Sequence, residues 1–147
     1  VGELSDAIAA QLGSTRHTPV VLVGVGRLGR VVLQDVSWQD SSLRLEAAFD
    51  RDPALVGRRI CGIPVHDVND LERFVMEHGV TTAVIAVPGD IAQRLADRLT
   101  AAGVAGLLNL THARLRVPHG VYVEDTDIGL SLERVAYFGQ RDRGATA

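Results

Sequence analysis

The stretch VVLVGVGRLGRVVL at residues 20–33 limits what this chain can fold into more than any other segment. Gly24, Gly26 and Gly29 form G-x-G-x-x-G where a buried strand is predicted to give way to a helix beginning near Leu28. The first glycine permits the tight turn, the second lets the backbone approach a pyrophosphate, and the third allows helix and strand to pack closely. The start of the helix then offers free N–H groups and the positive end of its dipole to phosphate. Gly24, Val25, Gly26, Arg27, Leu28 and Gly29 are therefore candidate cofactor-binding residues. Glycines that merely turn the chain are the competing reading.

The rest of the chain repeats the same alternation. Pro19 to Gly24 brackets a β-branched run typical of a strand buried on both faces. LRLEAAFD predicts a second strand ending at Asp50, and a short strand is expected around Ile63 to Val65. Asp67 is read as the cap of a helix with apolar residues Val68, Leu71, Phe74 and Val75, closed by Gly79. TTAVIAVP is another buried strand, after which Asp90 and Gln93 resemble a capping box for a helix that Gly103 ends. GLLNL and GVYVED read as further strands, and TDIGLSLERVAYFG as a final helix with Ile128, Leu132, Val135 and Ala136 roughly on one face. At the other end, VGELSDAIAAQLG spaces Leu4, Ala7, Ile8 and Leu12 as a helix would. This pattern predicts an α/β fold, a doubly wound and mostly parallel sheet of Rossmann type. Residues 1–17 are read as an N-terminal helix and linker, and 18–147 as one domain that includes the last helix.

Composition narrows the function. A net charge of −3 provides no basic footprint for gripping a phosphate backbone, so these residues alone are expected to bind DNA poorly. The lone cysteine, Cys61, excludes a disulfide framework within the chain and is read as a small packed residue. No apolar run reaches the roughly 20 residues of a membrane span, and no signal peptide is visible, so a cytoplasmic location and no membrane partner are expected.

Asp50 adds weight to the glycine motif. It ends the second predicted strand about 20 residues after Gly29, where a carboxylate accepts hydrogen bonds from both ribose hydroxyls of an adenosine. Arg51 beside it could instead welcome a 2′-phosphate, but Asp50 repels that group, which places NAD(H) ahead of NADP(H). AVPGD follows the fourth main strand across the topological switch point, so Val87 and Pro88 are expected to line the far half of a dinucleotide. An ordinary strand-to-helix turn is the alternative. The loop histidines His66, His112 and His119 have no acid or cation partner beside them in a recognisable pattern, and their scatter predicts no metal site. No catalytic residue is assigned, and the chain is not expected to be an enzyme.

Several segments together carry a family resemblance: LVGVGRLG, AAFDRDPALVGRRICGIPVHDVNDL, AVIAVPGDIAQRLADRL and VPHGVYVEDTDIGLSLERVAYF. On these the chain resembles the NAD(H)-binding domain of the Rex redox-sensing transcriptional repressors, whose fold is similar to CoA-binding domains. The resemblance implies a homodimer in which the last helix is exchanged between subunits. It further implies an N-terminal winged helix that binds operator DNA, and NADH as a signal that closes the dimer and releases the DNA. The winged helix is not contained in these 147 residues, so operator contact is expected only through it; VGELSDAIAAQLG is similar to its tail and linker.

The resemblance also brings Asn109 and Leu110 into the cofactor set, and Asp127, Tyr137 and Phe138 into a switch and dimer set. The family's Asn-Phe-Ala-Pro loop reads Asn109, Leu110, Thr111, His112 here, and a switch tyrosine is replaced by Asp35. The plain alternative for Asp127 is a helix N-cap. A dehydrogenase fragment, a CoA-binding ligase subunit and a sensor partner without DNA binding are the rival readings. Asp50 would sit badly beside the 3′-phosphate of coenzyme A.

Overall fold

A computed structural model describes residues 17–146, so the expected helix and linker over residues 1–17 lie outside the described residues save for His17. Strand β1 (Thr18–Val23) leads into helix α1 (Arg27–Gln34), followed by β2 (Leu43–Asp50), β3 (Arg59–Ile60) and β4 (Ile63–Asp67). Helix α2 (Leu71–His78), β5 (Thr82–Ile85), α3 (Gly89–Ala101), β6 (Gly106–Asn109), β7 (Tyr122–Asp125) and α4 (Ile128–Thr146) complete the order. The strands form one seven-stranded sheet in the order β3-β4-β2-β1-β5-β6-β7. Every neighbouring pair is parallel except β3 and β4. The chain winds outward from β1 to β4, then returns to the other flank of β1 with β5. Its switch point therefore lies between the carboxyl ends of β1 and β5, as the doubly wound reading requires.

Strand parity distributes the core to both faces. Val21 and Val23 pack with Leu71, Val75, Leu95 and Leu99 of α2 and α3, whereas Val20 and Leu22 pack with Leu33 of α1. In β2 the register shifts opposite Val20 and Val21, so Leu45 pairs with Val20 but Ala47 with Val21. This bulge reverses the parity of β2, placing Leu45 on the α1 face and Ala47 and Phe49 on the α2–α3 face. It also sets where Asp50, one residue beyond Phe49, emerges at the end of the strand.

Local chemistry departs from expectation at four places. Asp67 does cap a helical start by accepting the Asn69 N–H, but one turn of 3-10 helix, Val68–Asp70, precedes α2. Asp90 and Gln93 form no capping box: Pro88 is the N-cap of α3, and Gln93 instead bridges to both backbone groups of Arg116. Cys61 is exposed rather than packed, and it takes a left-handed conformation (φ 52°) with Gly62 (φ 80°) in the turn that joins the antiparallel pair β3–β4. His66, expected on a loop, lies instead in β4, half-buried against Phe49 and Phe74.

Helices α2 and α3 share one face of the sheet and are tied by an ion pair. Arg98 donates through Nε to Glu72 Oε2 at 3.0 Å, through Nη2 to Glu72 Oε1, and through Nη2 to the Val68 carbonyl at 2.7 Å. Helix α4 packs differently: residues 128–141 are all exposed and none of them belongs to either core cluster. Among the described residues, no helix is long and apolar enough to cross a membrane.

The Arg98 hydrogen bond holds the Glu72 carboxyl below its ordinary value of 4.5. A depressed carboxylate stabilises the fold above its unfolded value and loses that contribution as pH falls through the folded one. Glu72→Gln is therefore expected to cost about 0.5–1 kcal/mol at neutral pH, the solvent-screened scale for a partly exposed pair. The difference from the unaltered chain should vanish on acidification below pH 4.5. Urea unfolding at a series of pH values measures this, and a pH-independent difference would contradict the assignment.

Candidate functional site

Backbone packing builds the site from the carboxyl end of β1. Gly24 has φ +102°, and a Cβ there would lie 2.2 Å from the Ala86 carbonyl oxygen. A Cβ on Gly29 would lie 1.9 Å from the Gly24 carbonyl oxygen. Both positions are closed to any side chain. Gly26 is the opposite case, since nothing lies within 4 Å of where its Cβ would be. The first helical hydrogen bond runs from Arg30 N–H to the Gly26 carbonyl, which leaves the N–H groups of Arg27, Leu28 and Gly29 outside the helical ladder at the head of α1. Two glycines are thus demanded by the protein's own packing, and the third keeps bare a surface above donors that are unpaired among the described residues. Those donors and that bare face fit a pyrophosphate.

Asp50 is woven into this turn. Its Oδ2 accepts the Val25 N–H at 2.8 Å and its Oδ1 accepts the Asp52 N–H at 2.9 Å. A carboxylate offers about four acceptor sites, so about two remain for hydroxyl donors of a ligand. The half-buried Asp50 therefore has two jobs, fixing the glycine turn and presenting charge to whatever lies beside it. A cleft of about 300 Å³ opens there, between Gly24, Gly26, Asp50 and Arg51 on one side and Val87, Pro88 and α3 on the other. A larger hollow of about 590 Å³ lies at the amino ends of β1 and β2, near His17 and Leu43, where open α/β sheets do not hold their ligands. Asp35 lines that hollow, at the far end of α1 from the glycine turn.

The remaining candidates fall into distinct groups. Leu28 is exposed at the head of α1, beside Arg27. Asn109 is wholly buried, and its side chain is spent inside the protein. Its Nδ2 donates to the Ala113 carbonyl and to Asp125 Oδ1, both at 2.8 Å, and its Oδ1 accepts from the N–H and hydroxyl of Thr111. These bonds tie Asn109 to the 110–113 loop. Leu110 is half-buried against the α1-face core. Asp127 accepts the Leu130 N–H at 3.1 Å, so it caps α4, and its Oδ2 lies 4.0 Å from His112 Nδ1, a partner the sequence did not reveal. Tyr137 and Phe138 form an exposed edge-to-face pair with ring centroids 5.2 Å apart. Sequence reasoning missed the α3 wall of the cleft, made by Ile91, Arg94, Leu95 and Arg98. Ile91 and Leu95 show the spacing of a buried face, but only the three-dimensional crossing of α3 past the 3-10 turn at Val68 puts them on a cleft.

Residues 15–113 match the family model described as CoA binding domain. The crystal structure of RSP, described as a Rex-family repressor, superimposes with a TM-score of 0.82 at 30% identity, covering 97% of this chain and 68% of RSP. The chain belongs to the Rex family. RSP has also been solved with beta-NADH, at a TM-score of 0.83, 29% identity and coverage of 99% of this chain and 70% of that one. A third RSP structure, with beta-NAD+ and operator DNA, gives a TM-score of 0.81 at 30% identity, covering 99% and 70%. The redox-sensing transcriptional repressor Rex of Streptomyces coelicolor is 39% identical over 140 residues, 95% of this chain and 54% of that protein. The chain thus spans about half the length of its curated Streptomyces relatives. UDP-D-quinovosamine 4-dehydrogenase from Vibrio fischeri, at a TM-score of 0.55, 23% identity and coverage of 64% of this chain and 78% of that one, shares the fold alone.

The glycine geometry makes a differential prediction. Gly29→Ala should cost several kcal/mol or prevent folding, because its Cβ would meet backbone at 1.9 Å. Gly26→Ala, at φ −86° with open space, should stay within about 0.5 kcal/mol of the unaltered chain. Chemical denaturation of both variants checks this, and equal losses would contradict it.

Proposed function

We propose that this Rex-family chain is an NAD(H) sensor in which the dinucleotide is read as a signal and not consumed. The observation that carries the reading is the bare face of Gly26, held between two glycines that packing makes obligatory and beside an anchored Asp50. RSP, its structural relative, has been solved with both redox forms of the same cofactor. The N–H groups of Arg27, Leu28 and Gly29 donate to the pyrophosphate, and the remaining lone pairs of Asp50 accept the adenosine ribose hydroxyls. Val87 and Pro88 wall the crevice from the β5 side. When bound, the nicotinamide supplies the redox state that the protein reports.

The reading of a signal rests on relatives named as repressors and on α4. Ile128, Leu132, Val135, Tyr137 and Phe138 are all more than half exposed. Burying a large apolar side chain contributes about 1.5–3 kcal/mol, so a second subunit covering these residues gains on the order of 10 kcal/mol before the costs of association. A homodimer with α4 laid on the partner meets that demand. NADH then acts by preferring the closed dimer over the DNA-bound one by about 1–3 kcal/mol. Operator contact belongs to a winged helix beyond the residues described here, and the cytoplasm is the compartment of both partners. The matched family model brings coenzyme A forward as a second reading, and the Asp50 charge opposes its 3′-phosphate.

Fluorescence titration followed by sedimentation tests the proposal. NADH should bind more tightly than NADPH, the bound species should be a dimer, and Asp50→Ala should weaken NADH by about 1–3 kcal/mol. Equal or tighter NADPH binding, or a monomer at micromolar concentration with NADH bound, would overturn it.

A further inference from the structure

Residues 110–121 make the crossover from β6 to β7 with no helix. Within them, residues 113–117 alternate between half-buried and exposed: Ala113, Leu115 and Val117 pack on the core face that α2 and α3 cover, while Arg114 and Arg116 face outward. This is the pattern of an extended strap. Gln93 of α3 pins it, since its Oε1 accepts the Arg116 N–H at 2.8 Å and its Nε2 donates to the Arg116 carbonyl at 2.7 Å. Opposed residues of an antiparallel pair exchange the same two bonds, so this side-chain amide stands in for a neighbouring strand. Successive residues of an extended chain turn their backbone groups to opposite edges, so those of Leu115 and Val117 point away from Gln93. Neither residue has a backbone hydrogen-bond partner among the described residues. The free edge is bounded at both ends: Ala113 spends its N–H on Thr111 and its carbonyl on Asn109, and Pro118 has no N–H.

The outward face of the same strap is cationic. From Leu110 to Val123 the sequence holds no Asp or Glu, whereas Arg114 and Arg116 stand two residues apart, about 6.6 Å along an extended chain. Neither guanidinium has a hydrogen-bond or ion-pair partner among the described residues, and Asp97, the acid that Gln93 also reaches, accepts from the Gln93 amide. A strand laid antiparallel along the free edge exchanges bonds with Leu115 and Val117 and sets its own outward residues directly opposite Arg114 and Arg116, where opposite charges attract. We propose that the 113–117 strap is a strand-addition site for an extended acidic segment of a partner protein, with acids at alternate positions facing the two arginines and apolar residues between them facing the core. Nucleic-acid phosphates would satisfy the arginines but leave the Leu115 and Val117 amides unpaired, so the open edge favours a peptide. With two residues to pair, the contact is short and reversible. It is independent of the dinucleotide cleft and of the sensor reading.

NMR titration of the isotope-labelled full chain with an acetylated and amidated peptide of alternating glutamate and valine tests this. The Leu115 and Val117 amide resonances should shift, and their hydrogen exchange should slow. Arg114→Ala combined with Arg116→Ala should weaken the peptide by about 3–10-fold. Reversing both charges, Arg114→Glu with Arg116→Glu, should abolish that binding and transfer it to a peptide of alternating lysine and valine. Because both arginines are exposed, thermal denaturation of these variants should match the unaltered chain. No change at the two amides at millimolar peptide, or equal binding of the glutamate and lysine peptides by the unaltered chain, would overturn the proposal. So would random-sequence duplex DNA that moves the arginine side-chain resonances at lower concentration than the peptide moves the amides. Each of these results leaves the sensor reading intact.

Discussion

The contact on which this fold and its site depend is between two pieces of backbone. Helix α1 approaches β1 so closely that the Gly29 Cα hydrogens face the Gly24 carbonyl, with no room for a methyl group. That approach places the head of α1, with its unpaired N–H groups, directly at the switch point of the sheet. Gly24 contributes the complementary constraint by lying against Ala86 at the end of β5, so one turn touches both strands that border the crevice. Asp50 then ties the same turn to the end of β2 through the Val25 N–H. Three strand ends and one helix start are tied by these contacts, and the face above Gly26 is left open among the described residues.

Much of this was legible in the residue order because it depends on local pattern. The β-branched run before Gly24, the end of β2 at Asp50 and the left-handed stop at Gly79 follow from period, composition and backbone freedom. What escaped reading depends on pairings distant in sequence. Gln93 has a capping partner's identity, yet Arg116, on a loop brought alongside α3, takes its side chain. The bulge in β2 has no residue signature, since Leu45 and Ala47 read as one face until the register shift separates them. Asn109 entered the candidate set through family resemblance, and its burial and its bonds to Thr111 and Asp125 depend on a fold that the residue order does not display. Arg94 was illegible because nothing local distinguishes an arginine on a cleft wall from one in solvent.

The two ends of the molecule divide the proposed labour. The crevice is built from closely packed backbone and a carboxylate with two backbone partners, which suits a cofactor recognised without reorganisation. Residues 128–141 of helix α4 make no use of the chain's own core, and Asp127, which caps the helix, lies near His112 on the loop that Asn109 is bonded to. Asn109 donates to both the Ala113 carbonyl and Asp125, so the 110–113 loop and the strand that leads into α4 share one side chain.

Amide hydrogen exchange measured residue by residue, with and without NADH, tests the central claim most directly. The account predicts that NADH slows exchange most at Arg27, Leu28 and Gly29, the donors left unpaired at the head of α1, because exchange protection follows hydrogen bonding. Unchanged exchange at those amides, with protection appearing instead around the hollow lined by His17, Trp38 and Cys61, would contradict it.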